Sequence, residues 1–218
     1  MQTPATLERE EVANALTHGL GLVGSIAALP LLVMTALHRG DELAALGAAI
    51  FGISLLILYV TSTVYHALPV GTRKRRWQKL DHAAIYVLIA GTYTPFTLGV
   101  LRGPIGTTLL AAVWIAASVG VLVKLVFGVS PRLQRLSTAT YLLMGWMAVI
   151  TFNPLLQRVG WSGLAWLVGG GLAYTLGVIF FECDERIRFG HCVWHVFVLG
   201  GSLCHAVAVA GYGVAVPR

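Results

Sequence analysis

Seven mostly apolar stretches run along the chain, at about 16–37, 43–67, 82–101, 105–127, 134–152, 161–181 and 191–214. A helix rises about 1.5 Å per residue, so about 20 such residues cross a hydrocarbon core of about 30 Å. A barrel strand needs only about 10 and alternates in polarity. In lipid a helix satisfies its own backbone hydrogen bonds, which an isolated strand cannot do. The expected fold class is therefore all-α: a polytopic membrane protein, a seven-transmembrane helix bundle with residues 1–218 as a single domain. The remaining loops are short and leave no room for a second unit.

Composition supports this reading. Hydrophobic residues make up 57% and charged residues 11%, against about 25% charged in a soluble domain. Disorder, a secreted disulfide scaffold and an ordinary cytosolic enzyme are excluded. Cys183, Cys192 and Cys204 show no CxxC spacing. The N-terminus is acidic (Glu8, Glu10, Glu11) with no basic segment, so no cleaved signal peptide is expected. Gly169, Gly170 and Gly171, with Gly200 and Gly201, fall inside spans and predict close helix–helix contacts.

The net charge of +6 does not indicate nucleic-acid binding, because basic residues of membrane proteins collect in cytoplasmic loops. Arg9, Arg73, Lys74, Arg75, Arg76, Lys79, Lys124, Arg132, Arg135, Arg186 and Arg188 fall on one side of a seven-span chain. Arg39, Arg102, Arg158 and Arg218 fall on the other. This asymmetry predicts a cytoplasmic N-terminus and an external C-terminus. The run at 73–76 reads as a juxtamembrane anchor on anionic head groups.

Ionisable residues inside spans are costly and mark function. His66 ends the second span, Asp81 and His82 open the third, and His191, His195 and His205 lie on the seventh. His191 and His195 are four apart, about 6 Å along a helix and on one face, a spacing that suits one metal ion. His205 lies about 15 Å further on, is too distant to share that metal, and reads as a hydrogen-bonded interior histidine. The predicted orientation brings His66, Asp81, His191 and His195 to one membrane depth. Three imidazoles with an open position are the pattern of a catalytic zinc site, and a carboxylate there can orient or deprotonate water. Ser62 shares a helical face with His66; it either joins the site or bonds back to its own helix. His82 points about 100° away from Asp81 and is left outside the metal shell. Glu11, Asn14 and His18 fall near one face on the same side, as support for the site or as the cap of an interfacial helix. His38 reads as solvated.

Ser62-x3-His66, Asp81 at the start of the third span and His191-x3-His195 resemble the hemolysin III family, the bacterial branch of the progestin and adipoQ receptor family. Glu11-x2-Asn14-x2-Thr17-His18 and Gly91-Thr-Tyr-Thr-Pro95 resemble it too. The resemblance implies Zn2+ held by His66, His191 and His195 near the cytoplasmic face, a water-holding Asp81 and a nearby Ser62, in a bacterial cytoplasmic membrane. Distant relatives with these residues include alkaline ceramidases. The expected function is thus a zinc-dependent hydrolase of acyl-lipid amides or esters, with membrane lipids as partners and a fatty-acyl ligand in the bundle. Tyr65, Ile85, Phe96 and Val196 are candidates to line its tunnel. The rival readings are a lipid-sensing protein with a structural zinc, a pore-forming hemolysin, and a haem bound by two histidines.

Overall fold

The computed structural model describes residues 4–184 and 186–214; Arg218 lies outside them. Among the described residues, all regular structure is helical: α1 (Pro4–His38), α2 (Glu42–Ala67), α3 (Thr72–Leu98), α4 (Pro104–Phe127), α5 (Pro131–Trp146), α6 (Phe152–Glu182) and α7 (Gly190–Tyr212). A 3-10 turn, Met147–Thr151, joins α5 to α6.

Five helical stretches are long and apolar enough to cross a membrane on their own, where seven spans were expected. The difference has two physical sources. Pro131–Glu182 is one stretch of 52 residues, and it holds both α5 and α6. The eleven-residue polar start of α3, from Thr72 through Asp81 and His82, carries most of the chain's clustered positive charge and lowers its hydropathy. Gly160, at φ 67° and ψ −179°, interrupts the long stretch. This backbone conformation is open to glycine and strained for other residues, and it divides α6 just ahead of Trp161, where the sixth span was expected to begin.

Apolar side chains left bare on the outside recur at three- and four-residue steps: Leu16, Leu20 and Val23 on α1, Ile115, Val119 and Leu122 on α4, and Leu172, Leu176 and Ile179 on α6. Stripes of this kind are rare on a soluble monomer. They are the lipid-facing surface of an integral membrane protein.

Inside, Phe51, Leu55, Leu58, Ala84, Leu88, Val198 and Ala208 form the main core. Small residues let the backbones approach: a Cβ on Gly47 would lie 2.6 Å from Pro95 Cα, and one on Gly91 would collide with Ser54. The glycine runs behave unevenly. Gly170 makes room for the His205 ring and Gly201 for Tyr174, Gly171 is in ordinary contact with Trp146, and Gly169 and Gly200 face open space. The closest pairings are α1 with α2, α2 with α3, α6 with α7 and α3 with α4; α1 also meets α7, whereas α5 touches α3, α4 and α6 only sparsely.

At the end away from His66, Asp41 caps α2 by accepting from Ala44 N at 2.9 Å and pairs with Arg102. Arg39 Nη1 donates to the Gly211 carbonyl at 3.2 Å. These contacts tie the ends of α1, α2 and α7 to the α3–α4 connection. Lys124, expected in a loop, is instead inside α4 and fully buried, where its Nζ donates to Gln134 Oε1 at 3.3 Å.

Candidate metal centre

His66 sits in the last turn of α2, and His191 and His195 in the first turns of α7. The ring centroids of His66 lie 5.0 Å from those of both His191 and His195, and the latter two are 4.8 Å apart. One ring nitrogen from each lies within 4.8 Å of the others. Asp81 is not part of this group of donors.

The outward-facing nitrogen of every ring is occupied. His66 Nδ1 lies 3.0 Å from Glu11 Oε2, and His191 Nδ1 lies 3.0 Å from Asp184 Oδ2. His195 Nδ1 lies 3.2 Å from the Asn14 carbonyl and 3.3 Å from Thr17 Oγ1. A carboxylate or carbonyl only accepts, so each Nδ1 carries the proton and each Nε2 keeps its lone pair. His66 Nε2 is buried with no hydrogen-bond partner. Three convergent imidazole nitrogens, with second groups that fix the tautomers, are the donor chemistry of a zinc site. The residues present fit the metal.

The support comes largely from α1. Glu11 is held in turn by Lys74, whose Nζ donates to Glu11 Oε2 at 2.8 Å and to the carbonyls of Tyr65 and Leu68 at 2.9 and 3.1 Å. Lys74 is therefore a cross-link between α1, α2 and α3, not a free lipid anchor. Asn14 contributes its main-chain carbonyl, while its side-chain Oδ1 is buried without a partner. His18 stacks on His195 at 3.5 Å and 12°, and its Nδ1 lies 2.7 Å from Ser62 Oγ.

Ser62 and Asp81 are buried and adjacent. Both share a cavity wall with His18, His191 and His195. His82 stays outside the histidine group, with Nδ1 2.8 Å from the Gln78 carbonyl. Asp184 and Thr17 were not expected as partners of the cluster. The signal for Asp184 was a carboxylate in the short loop just ahead of His191.

The cavity encloses about 200 Å³ and continues from this polar end along Ile85, Phe96, Leu155 and Leu164 to Leu101. Of the candidate tunnel residues, Ile85 and Phe96 line it. Val196 instead points outward, 55% exposed, because it follows His195 by one position and is turned off the inner face. Tyr65 lies under the Lys74 ammonium. Val149, Phe152 and Val168 belong to the cavity wall and yet are exposed on the outside, so the wall is thin where the 3-10 turn meets α6.

Residues 7–206 match the family described as Haemolysin-III related. The chain belongs to the haemolysin-III family. It is 44% identical to "Hemolysin-3 homolog" of Bacillus subtilis, over 96% of this chain and 97% of that protein. It is 43% identical to "Hemolysin-3" of Bacillus cereus, over 89% and 87%. The human "Monocyte to macrophage differentiation factor" is 30% identical over 93% of this chain and 84% of its own length. The similarity to both bacterial and animal proteins places this haemolysin-III member within the wider receptor-like group that its motifs resemble.

Proposed function

We propose that this haemolysin-III protein is a zinc-dependent intramembrane hydrolase that cleaves an amide or ester bond of an acyl lipid. The observation that carries the reading is the continuity of the three-histidine cluster with the long apolar cavity, with Asp81 and Ser62 at their junction. His66, His191 and His195 would hold the ion. Bound zinc supplies a Lewis acid that polarises a carbonyl and acidifies a nearby water.

The chain's own residues do the rest. Asp81 accepts a proton from the attacking water and returns it to the leaving amine or alkoxide. The Ser62 hydroxyl, steadied by His18, orients that water or donates to the oxygen on which charge develops. Ile85, Phe96 and Leu155 exclude bulk water and hold the acyl chain. A structural zinc would need four protein ligands, and the donors that converge here are three histidines, which favours the open site. The positive cluster at the start of α3 lies at the same end as His66, which supports a cytoplasmic position for the site in a bacterial cytoplasmic membrane.

The test is elemental analysis of detergent-purified protein, with acyl-lipid hydrolysis measured in parallel. About one zinc per chain is expected. Asp81→Asn keeps most of the zinc and loses turnover. Hydrolysis unchanged in Asp81→Asn would sink the mechanism, and loss of zinc in that variant would favour a closed, structural site.

A further inference from the structure

A second polar cluster lies deeper in the same cavity, seven to ten residues along α7 from His195, about 10–15 Å along the helix axis. Tyr59 OH donates to Ser202 Oγ at 2.8 Å, and Tyr174 OH lies 3.0 Å from the same oxygen. Three hydroxyl protons thus serve two hydrogen bonds. In the ordering Tyr59 to Ser202 to Tyr174, the Tyr174 proton is left over. His205 stacks on Tyr174 at 5.5 Å and 20°. It is 8% exposed, and its Nδ1 is buried with no hydrogen-bond partner. The Leu167 and Gly201 carbonyls come near the ring without completing a bond to Nδ1. The expected hydrogen-bonded interior histidine is therefore incomplete at that nitrogen.

Both Tyr174 and His205 line the cavity, and both occupy room made for them. A Cβ on Gly170 would lie 2.7 Å from His205 Cε1, and one on Gly201 would lie 2.8 Å from Tyr174 Cε1. Unsatisfied polar groups are expensive in a membrane interior, and where they occur they face a cavity and mark a ligand. No carboxylate or cation forms a hydrogen bond with this cluster among the described residues, so the ligand group that completes it is neutral.

We infer that Tyr174 and His205 form a second recognition point in the cavity, which binds a hydroxyl carried part-way along the acyl chain of the lipid ligand. The inference rests on the reading of the cavity as an acyl-lipid site with its head at the histidine cluster. The spacing of about 10–15 Å matches an extended chain of roughly eight to a dozen carbons between head group and hydroxyl.

The test is displacement of a fluorescent fatty acid from the purified, zinc-loaded full chain by octadecanoic, 2-hydroxyoctadecanoic and 12-hydroxyoctadecanoic acids. One added hydrogen bond predicts about fivefold to tenfold tighter binding of the 12-hydroxy acid than of octadecanoic acid. Tyr174→Phe, which keeps the ring, and His205→Asn each reduce that preference, with zinc content unchanged. Should His205→Asn fail to fold, Tyr174→Phe carries the test alone. Equal binding of the three acids, a preference for the 2-hydroxy acid, or a 12-hydroxy preference that survives in Tyr174→Phe would overturn the inference and leave the acyl-lipid reading standing. Binding of none of them overturns the acyl-lipid reading and the inference with it.

Discussion

The bundle has two unlike halves. Helices α1, α2 and α3 make the closest pairings and, with α7, carry all three clustered histidines, Asp81, Ser62 and His18. Their supports come from the same half or from the loop that opens α7: Glu11, Asn14 and Thr17 on α1, and Asp184. Helices α4, α5 and α6 contribute no group to the cluster. They close the far wall of the cavity; α4 and α6 pack closely on α3 and α7, and the looseness lies in α5, which touches its neighbours sparsely. A site that must hold atoms to within about half an ångström belongs on rigid elements, while a cavity that admitted the proposed lipid would need a wall that yields. The sparsely held α5 is the part of the wall best placed to yield.

This division predicts that metal affinity answers to the tight half alone. The largest effect is expected from His195→Ala, which removes an inner-face ligand and should leave no zinc after dialysis. Glu11→Gln and Asp184→Asn keep the ligands but weaken the acceptors that orient them, and each should lower zinc affinity about 10- to 100-fold. Competition with a chelating dye reads all three. Val149→Ala, on the loose half, should leave the zinc affinity at the wild-type value; an equal loss there would erase the distinction between the halves.

Stability should divide along the same line. Gly47 lies against the Pro95 backbone, which cannot step aside as a flexible side chain can. Gly47→Ala is expected to cost about 1–3 kcal/mol by overpacking. Gly169 on α6 has nothing within 4 Å of its Cβ position, so Gly169→Ala should be neutral or gain up to about 1 kcal/mol from helix propensity. Thermal unfolding of the two variants in one detergent decides it, and a similar loss in both would mean that the Gly169 position is as crowded as that of Gly47.

Much of this was legible in the sequence, for physical reasons that differ between residues. A span must be long and apolar, so the helices could be read from hydropathy. His191 and His195 could be paired because a helix fixes what lies on one face at four-residue spacing. Asp81 and His66 followed from depth alone, since a charged group in a span is too costly to be incidental. The partners of the rings were harder. Asp184 reaches His191 through a loop that carries no periodicity, and Phe189 must adopt a left-handed backbone, φ 57°, for α7 to begin there. Lys74 and Lys124 were read as loop cations because their charge says surface. Only the packing shows Lys74 gripping two carbonyls and a carboxylate, or Lys124 folded inward toward Gln134. Outward Val196 shows the same limit on a smaller scale: it neighbours a ligand in sequence and faces the opposite way in space.

The smallest expected effect is the most direct probe of the loose half. Trp146, at the end of α5, donates Nε1–H to Thr175 Oγ1 on α6 at 3.1 Å, and both residues belong to the cavity wall. The bond spans the seam where Val149, Phe152 and Val168 are at once cavity lining and outer surface. A partly exposed hydrogen bond of this kind contributes about 0.5–1.5 kcal/mol. If the seam is where lipid enters, Thr175→Val removes the acceptor at almost constant volume and speeds entry of a fluorescent fatty acid by roughly twofold to tenfold. Zinc content stays the same, because no cluster residue touches this contact. An unchanged entry rate would mean that the seam stays shut with or without its hydrogen bond. Access would then have to pass through the close-packed half, beside the histidines themselves.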